Sequence, residues 1–201
     1  MKWFDQHQRN LPWRKNKSLY RIWISEIMLQ QTQVATVIDY FNRFVKRFPN
    51  IKRLAAASEA DVLRLWEGLG YYRRARQLHA AAKTIVECHG GQFPTDITDV
   101  LALPGIGRYT AAAILSIAQD QRLPILEGNT IRLFARLLAM NSDPRTTENQ
   151  KRLWEFSESL LPRKQVGDFN QSLMELGSEI CTPRNPNCKI CPLMRQDVGI
   201  L

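Results

Sequence analysis

The chain has 201 residues and a hydrophobic content of 44%, enough to bury a core in one large domain or two smaller lobes. Its 28 Lys and Arg residues outnumber its 19 Asp and Glu residues, and the net charge of +9 is spread along the whole length. Such a charge favours a polyanionic partner, although basic chains also arise simply for solubility. No run approaches the roughly 18 apolar residues that span a bilayer, and the N-terminus lacks the apolar run of a secretory signal. We therefore expect a cytoplasmic protein without membrane association.

Apolar residues recur at helical spacing through most of the chain, and Pro- and Gly-containing breaks separate the stripes. Alternating patterns typical of strands are scarce. The sequence therefore predicts an all-α fold of about nine or ten short helices. Cys88, at the end of one apolar helix, is expected to pack in the core. Two of the stripes are Leu78, Ala81, Ala82, Ile85 and Val86, and Ile131, Phe134, Ala135 and Leu138.

The order of these helices suggests two lobes. Residues 20–128 are expected to form a central helical lobe, and residues 1–19 together with 129–201 a second one. The active site is expected in the cleft between the two lobes, because ligand sites commonly form where lobes meet.

Residues 23–33 (W-I-S-E-I-M-L-Q-Q-T-Q) carry a carboxylate among apolar helical neighbours. On a helix, Glu26 has Trp23 one turn before it and Leu29 one turn after it. A carboxyl group in such surroundings loses solvation of its anion, so its pKa should rise and allow it to donate a proton near neutral pH. Glu26 is therefore a candidate general acid. The alternative is a surface glutamate on an amphipathic helix, which is the commoner case.

Residues 101–111 (L-A-L-P-G-I-G-R-Y-T-A) place two glycines in a tight turn between two apolar helices. Gly105 and Gly107 leave space where a Cβ would stand, and the amides leading into Arg108 can point at a phosphate. A plain turn between helices is the alternative. The full string favours a helix-hairpin-helix that contacts the DNA backbone.

Residues 124–132 (P-I-L-E-G-N-T-I-R) place a second carboxylate, Glu127, just before a helix. Asn129 is the expected N-cap of that helix. One interpretation is that the acid at this place only stabilises the helix dipole. If it is paired with Glu26 across a cleft, two unlike carboxyls suit glycosidic-bond cleavage, one protonating the leaving group and the other offsetting oxocarbenium charge. Both readings stay open.

Residues 68–72 (G-L-G-Y-Y) form a glycine-rich turn that carries aromatic side chains and is followed by arginines. A ring such as that of Tyr71 can enter a base stack as a wedge while neighbouring arginines neutralise phosphate. The alternative is a solvated basic loop, which suits the arginines better than the tyrosines.

The chain has four cysteines, and three of them lie within eleven residues as C-x6-C-x2-C. Close thiols in a chain without a secretory signal favour soft-metal ligation over disulfides. Iron–sulfur is favoured over zinc, because zinc sites usually combine two close ligand pairs. Three unligated thiols remain the alternative. The candidate ligands are Cys181, Cys188 and Cys191, with Asp197 as a possible fourth.

Five strings, taken in order, resemble the adenine DNA glycosylases of the MutY type. They are residues 11–14 (L-P-W-R), 25–34 (S-E-I-M-L-Q-Q-T-Q-V), 68–72, 103–110 (L-P-G-I-G-R-Y-T) and the cysteine loop. These enzymes belong to the wider helix-hairpin-helix glycosylase superfamily that includes endonuclease III. The resemblance covers nearly the entire chain. It implies a two-lobed all-α fold with a [4Fe-4S] cluster, and hydrolytic removal of adenine mispaired with guanine or 8-oxoguanine in double-stranded DNA.

The same resemblance implies roles for single residues. Glu26 matches the acid that protonates the adenine leaving group, and Glu127 takes the place of the catalytic aspartate that stabilises the sugar cation. Tyr109 stands where endonuclease III carries its Schiff-base lysine, which implies a monofunctional enzyme. Gln30, Gln31 and Tyr71 match residues that fill or wedge the duplex after base flipping, and Arg14, Val34 and Gln171 match residues of the adenine pocket.

Three departures from the family pattern change these expectations. Glu127 is one methylene longer than the family's aspartate, which is expected to lower activity. Asp197 stands at the fourth position of the family's C-x6-C-x2-C-x5-C pattern. It can ligate iron as a carboxylate, leave a labile three-cysteine cluster, or mark loss of the cluster. The chain stops soon afterwards, so the C-terminal domain that helps recognise 8-oxoguanine is expected to be absent.

Two alternatives remain at this point. One is a mismatch thymine glycosylase on the same scaffold, since Tyr109 does not exclude a pyrimidine substrate. The other is a catalytically impaired DNA-binding homologue that keeps the hairpin and wedge. For each, the expected form is a nucleoid-associated monomer.

Overall fold

The computed structural model describes residues 1–194, and these contain helices but no strand. The prediction of an all-α fold is thus confirmed for this part of the chain. Within it lie α1 (Lys2–His7), α2 (Leu19–Leu29), α3 (Val34–Arg47), α4 (Ile51–Ala55), α5 (Glu59–Trp66), α6 (Arg73–His89), α7 (Ile97–Leu101), α8 (Arg108–Gln119), α9 (Gly128–Leu137), α10 (Thr147–Ser159) and α11 (Val166–Glu179), followed by a 3-10 turn at Cys188–Ile190.

The described residues hold slightly more helices than the nine or ten expected. The shortest ones, α4 and α7, have 5 residues each. A segment of that length is too short to display a 3.6-residue repeat, so periodicity merges it with the surrounding loop. We find no described helix that is long and apolar enough to cross a membrane.

The chain divides into two compact units, which are named here the central unit and the terminal unit. The central unit is Asn10–Gln119, and the terminal unit combines Met1–Arg9 with the chain from Asp120 onward. The sequence pattern places the same boundaries nearer residues 20 and 128. The difference at the first boundary arises because Trp13 is buried in the central unit, where its ring lies edge to face with that of Phe41 at 5.3 Å between ring centroids.

The second boundary differs because the segment before α9 packs on the terminal unit. The hydroxyl of Ser157 in α10 donates a hydrogen bond of 2.8 Å to the carbonyl of Ile125. The side-chain amide of Asn170 in α11 donates one of 3.0 Å to the carbonyl of Leu123. Residues 123–126 are tied in this way to both helices.

The core of the central unit receives buried apolar side chains from α2, α3, α5, α6 and α8. Fully buried aromatic rings meet edge to face, with Phe44 5.1 Å from Phe48 and 6.1 Å from Trp66 between ring centroids. Such edge-to-face contacts add to the burial of apolar area. Four helices of this unit begin with a side-chain oxygen that accepts a backbone N–H, which fixes where each starts. The caps are Ser18 for α2, Asn50 for α4, Ser58 for α5 and Asp96 for α7.

The core of the terminal unit forms where α9, α10 and α11 pack together. Its fully buried members include Phe134 and Leu153, and Phe156 lies edge to face with Phe134 at 5.4 Å. The apolar stripe predicted for α9 therefore faces this core. Cys88 in the central unit departs from expectation, since it is exposed at the end of α6. The buried face of α6 ends at Ile85, so that Cys88 and Val86 in its last turn are exposed.

An ion pair between a partly buried arginine and a fully buried glutamate holds the N-terminal segment to α11 within the terminal unit. The carboxylate of Glu175, only 1% exposed, accepts from Arg9 at its backbone N (2.9 Å), Nε (2.8 Å) and Nη2 (2.9 Å). Glu179 lies 3.0 Å from the same guanidinium but is 48% exposed. The two acids thus differ in burial while sharing one partner.

This difference predicts unequal costs of truncation. Replacing Glu175 with Ala leaves Arg9 partly buried without its main partner, and should lower the free energy of unfolding by about 3–5 kcal/mol. Replacing Glu179 with Ala should cost less than about 1 kcal/mol, because its pair is solvated. Urea unfolding of both variants, followed by far-UV circular dichroism, measures the two values. Equal costs would contradict the anchoring of the N-terminal segment by Glu175.

Candidate functional site

Glu26 lies in the middle of α2 and is only 7% exposed. Its carboxylate Oε2 accepts a hydrogen bond of 2.9 Å from the hydroxyl of Tyr109, the second residue of α8. The structure therefore joins two candidate residues that stand 83 positions apart in the sequence. The apolar helical surroundings expected for Glu26 are present, since Ile22, Trp23 and Ile27 are all buried. The raised pKa stays a prediction.

A second contact ties the same two helices together. The side-chain amide of Gln30, just after α2, donates a hydrogen bond of 3.3 Å to the hydroxyl of Thr110. Thr110 directly follows Tyr109 on α8. The end of α2 and the start of α8 are in this way bonded at two neighbouring points, which fixes Glu26 relative to the hairpin turn.

The residues predicted to form the wedge lie in two loops of the central unit. The first loop, residues 30–33, follows α2, and the second loop, residues 68–72, precedes α6. Each carries a residue in the left-handed region, with φ of 55° at Gln31 and 49° at Tyr71. Tyr71 is 63% exposed. The side chains of Gln30, Gln31 and Tyr71 line one open recess of about 380 Å³.

The turn between α7 and α8 has the glycine that its shape requires. Gly105 has a φ of 78°, and a Cβ added there would meet Cβ of Gln77 in α6 at 2.7 Å. Gly107 is different, because a Cβ there would meet nothing within 4 Å. It is exposed together with Arg108. The open surface at Gly107 is the place where a backbone phosphate could approach the start of α8.

Glu127, and not Asn129, is the N-cap of α9. Its carboxylate accepts from the backbone N of Asn129 (2.9 Å) and of Thr130 (3.0 Å), and from Nδ2 of Asn129 (3.2 Å). Thr130 completes a capping box by accepting from the backbone N of Glu127 at 2.8 Å. The prediction that Asn129 is the N-cap was wrong, because α9 begins at Gly128 and Asn129 therefore lies inside its first turn.

The electrostatics of Glu127 combine two opposed effects. Burial raises the pKa of this carboxyl above its ordinary value. The hydrogen bonds from Asn129 and Thr130 and the positive charge of Arg132 lower the same pKa and partly cancel the rise. The carboxylate is thus poorly hydrated yet bonded by several N–H groups.

Arg132 is a site residue that sequence reasoning missed. Its guanidinium donates to Oδ1 of Asn129 (2.9 Å), to the carbonyl of Gly177 (2.6 Å) and to the carbonyl of Cys181 (2.7 Å). It therefore links the first turn of α9 with the end of α11 and the start of the cysteine loop. Its position five residues after Glu127 is compatible with an ordinary solvated arginine, so the sequence carried no signal for this role.

The remaining predicted pocket residues fall in both units. Arg14 is the half-buried last residue of the turn at residues 11–14, and Val34 is the half-buried first residue of α3. Gln171 belongs to the terminal unit, where it is 4% exposed in α11 and donates to the carbonyl of Gly167 at 3.3 Å. Its amide is thus bonded within its own helix.

The cysteine loop is held by arginine in the described structure. Arg136 donates to Sγ of Cys181 (3.2 Å) and to the carbonyls of Thr182 (2.9 Å) and Pro183 (3.2 Å). Cys181 and Cys191 both pack against the core of the terminal unit, whereas Cys188 is exposed.

The described residues include no group of three or more His, Cys, Asp or Glu side chains placed to hold a metal ion. The [4Fe-4S] cluster therefore stays a prediction, and its three candidate thiols are not grouped together within residues 1–194. Asp197, the expected fourth ligand, lies outside the described residues.

The helical units, the glycine turn before α8 and the buried carboxyl on α2 together define the class of protein. Residues 24–159 match the sequence model described as HhH-GPD superfamily base excision DNA repair protein. The chain belongs to this superfamily. Its fold is shared by a solved endonuclease III–DNA covalent intermediate, with a TM-score of 0.81 at 19% identity over 96% of this chain and 87% of that one.

Within the superfamily, the chain is similar to proteins named adenine DNA glycosylase. It is 46% identical to the one from Buchnera aphidicola subsp. Schizaphis graminum over 99% of this chain and 58% of that protein. It is 44% identical to the human one over 96% of this chain and 37% of that protein. The chain thus spans between about a third and three fifths of these relatives. A solved thermostable thymine-DNA glycosylase also matches, with a TM-score of 0.87 and 29% identity over 96% of this chain and 88% of that one.

The raised pKa of Glu127 predicts a pH dependence of stability. A carboxyl whose pKa is higher in the folded chain than in the unfolded one costs stability when ionised, and this cost disappears as pH falls through the folded pKa. Glu127→Gln removes the titratable carboxyl at this position. The unfolding free energy of the wild type minus that of the variant should therefore rise as pH falls from about 7 toward about 4.

Urea unfolding at a series of pH values measures this difference. Glu148→Gln, at an exposed position in the first turn of α10, controls for the loss of one carboxylate near a helix start. A difference that falls toward acid pH would show that hydrogen bonding outweighs burial at Glu127.

Proposed function

We propose that this chain is a monofunctional DNA glycosylase that removes adenine mispaired with 8-oxoguanine or guanine in base excision repair. The observation that carries the proposal is the buried carboxyl of Glu26, bonded by the Tyr109 hydroxyl beside a helix-hairpin-helix turn. The similarity to adenine DNA glycosylases over nearly the whole chain supports adenine as the base.

In the proposed reaction, Glu26 donates its proton to the adenine of a nucleotide that has been flipped out of the duplex. The N-glycosidic bond breaks, its electron pair leaves with the protonated base, and water adds to the anomeric carbon of the sugar. The proton released by that water restores the acid. Tyr109 orients the carboxyl through its hydrogen bond, and because it is not an amine it forms no Schiff base. No step of this reaction needs a metal.

Glu127 is proposed to offset the positive charge that develops on the sugar. Its carboxylate already accepts hydrogen bonds from Asn129 and Thr130 as the cap of α9. Asn129 therefore acts through Glu127 rather than on the substrate. A side chain fixed in this way places its charge at one position, and that position differs from the one an aspartate would give by the length of one methylene.

Contacts with double-stranded DNA are proposed at the hairpin turn and at the wedge. The open backbone at Gly107, the conformation fixed by Gly105 and the exposed Arg108 support binding of a phosphate at the start of α8. The exposed ring of Tyr71, with Gln30 and Gln31, supports a wedge that fills the gap left by the flipped base. Arg14, Val34 and Gln171 are proposed to shape the adenine pocket.

Two observations favour rival functions. The likeness to a thymine-DNA glycosylase favours a mismatch thymine glycosylase on the same scaffold. The glutamate at position 127 favours a DNA-binding homologue with little catalysis. In all three cases the proposed form is a cytoplasmic, nucleoid-associated monomer.

Excision assays separate these functions. Duplexes with adenine opposite 8-oxoguanine, adenine opposite guanine, and thymine opposite guanine are incubated with excess protein and then cleaved with alkali at abasic sites. We expect cleavage at adenine, and a loss of at least about 100-fold in the single-turnover rate for Glu26→Gln with DNA affinity kept. Cleavage at thymine alone would reject the adenine assignment. If the wild type and Glu26→Gln bind DNA with equal affinity and neither releases any base, the result would favour the catalytically impaired DNA-binding homologue.

The same assay tests the length of the side chain at position 127. Glu127→Asp should restore the spacing of the relatives' aspartate and raise the single-turnover rate by at least about tenfold. Glu127→Gln, which keeps the length but removes the charge, should be slower than the wild type and serves as the matched comparison. An unchanged rate for Glu127→Asp would show that the longer carboxylate is already well placed.

A [4Fe-4S] cluster in the cysteine loop is proposed from the C-x6-C-x2-C spacing, with Cys181, Cys188 and Cys191 as ligands. The turn at Cys188–Ile190, in which the Cys191 amide bonds the Cys188 carbonyl at 3.1 Å, supports a compact loop. The three thiols still need a fourth ligand and a closer grouping than the described residues show.

Metal analysis tests this proposal. Protein from iron-supplied cells should be brown and contain about four iron atoms per chain, and Cys188→Ser should lose both. Cys88→Ser, at the exposed cysteine of α6, should retain them. Colourless protein, with zinc or without metal, would contradict the cluster.

A further inference from the structure

Arg74 is the most heavily bonded buried cation of the central unit among the described residues. It is the second residue of α6 and is only 8% exposed. A buried guanidinium is costly unless its N–H groups find acceptors. Its acceptors here are almost all backbone carbonyls, and they belong to two segments that are far apart in sequence, the end of α2 with the loop after it and the loop before α6.

One side of the guanidinium closes the end of α2. Nη1 donates to the carbonyls of Ile27 (3.0 Å) and Met28 (2.8 Å), and also to that of Gln30. The last carbonyls of a helix have no partner within it, and α2 has no basic residue in its last turn. Arg74 supplies from α6 both the donors and the positive charge that this helix end lacks.

The other side of the guanidinium bonds both wedge loops. Nη2 donates to the Thr32 hydroxyl (3.0 Å) in the first loop, and to the carbonyls of Leu69 (3.4 Å) and Gly70 (3.3 Å) in the second. Its carbon lies 5.5 Å from the centre of the Tyr71 ring, within cation–π range. One side chain therefore contacts both loops that carry the wedge residues.

These loops need such a partner because both are held in an unfavourable conformation. Gln31 and Tyr71 have positive φ angles, which are unfavourable for residues other than glycine and persist only where the surroundings hold them. Gln31 and Tyr71 are themselves largely outside the core, so their own packing does not supply that constraint.

The structure assigns to Arg74 the role of a positioning residue, which sets the two wedge loops at one fixed separation before DNA arrives. Without it, several buried carbonyls would lose their donor and each loop would be free to move on its own. This role rests on the proposed function for its effect on catalysis, but the ordering of the loops is independent of that function.

Three variants test the assignment. Arg74→Met keeps a long side chain and removes every donor, whereas Arg74→Lys keeps the charge but not the planar fork that spans two loops. Arg76→Met is the matched control, because it removes one positive charge from the same helix at an exposed side chain whose partner is Glu59 in α5. Thermal unfolding by circular dichroism identifies the temperature at which each variant is folded for the other measurements.

The first measurement is hydrogen exchange of the protein without DNA. Exchange in peptides covering residues 30–33 and 68–72 should accelerate at least about tenfold in Arg74→Met, less in Arg74→Lys and not in Arg76→Met. Peptides of α7 and α8 should be unchanged. Acceleration in one loop only, or equally throughout the central unit, would overturn the assignment. If Arg74→Met does not fold at any temperature, the comparison of Arg74→Lys with the control decides.

The second measurement separates binding from base flipping. A duplex with 2-aminopurine beside the target adenine brightens when the neighbouring base leaves the stack. Arg74→Met should lower this signal and the single-turnover excision rate at least about tenfold, while its affinity for undamaged duplex falls no more than that of Arg76→Met. Arg74→Lys should recover part of both. Loss of affinity with normal flipping would overturn the assignment.

The two measurements also distinguish failure of the proposed function. If the wild type releases no base but loop exchange responds to Arg74 as described, the positioning role stands and the glycosylase proposal fails. If the wild type releases adenine and Arg74→Met flips and releases it equally well, the positioning role fails alone.

Discussion

Three helix ends in the described part of the chain depend on a charged side chain for their hydrogen bonds. The first amides and last carbonyls of a helix have no partner inside it, so wherever they are buried another group must bond them. Arg74 does so for the end of α2, Glu127 for the start of α9, and Arg132 for the end of α11. A charged side chain is suited to this task, because the same bonds that complete the helix also offset its own loss of hydration.

Each of these bonded helix ends lies beside a candidate functional residue. The end of α2 continues into Gln30 and the first wedge loop. The start of α9 is capped by the carboxylate of Glu127, which is itself a candidate functional residue. Arg132 joins that first turn to the start of the cysteine loop. The groups that bond these helix ends therefore also hold the candidate functional residues in place, which ties the stability of each unit to the geometry of its candidate residues.

Glu127 shows the cost of that arrangement most directly. One carboxylate serves as the cap of α9 and, in the proposed reaction, as the charge opposite the sugar cation. An aspartate side chain is one methylene shorter than a glutamate side chain. Glu127 must therefore order this extra methylene while its oxygens accept hydrogen bonds from the amides of Asn129 and Thr130. Burial raises its pKa at the same time, so the fold keeps this charge against a desolvation cost.

The sequence by itself determined the helical class and the hairpin turn, and it singled out Glu26 and Glu127 as the candidate carboxylates. Those features are local, since a periodic stripe, a Pro-Gly turn or a string such as M-L-Q-Q-T-Q-V is complete within a few residues. Only the tertiary structure decided that Tyr109 bonds Glu26, that Arg74 joins the two wedge loops, and that the cysteine loop is held by Arg136. The partners in the first case are 83 residues apart and in the second more than 40 at their widest. Nothing in a local pattern records which distant backbone groups are left to be bonded once the helices have packed, and that is the information on which the site depends.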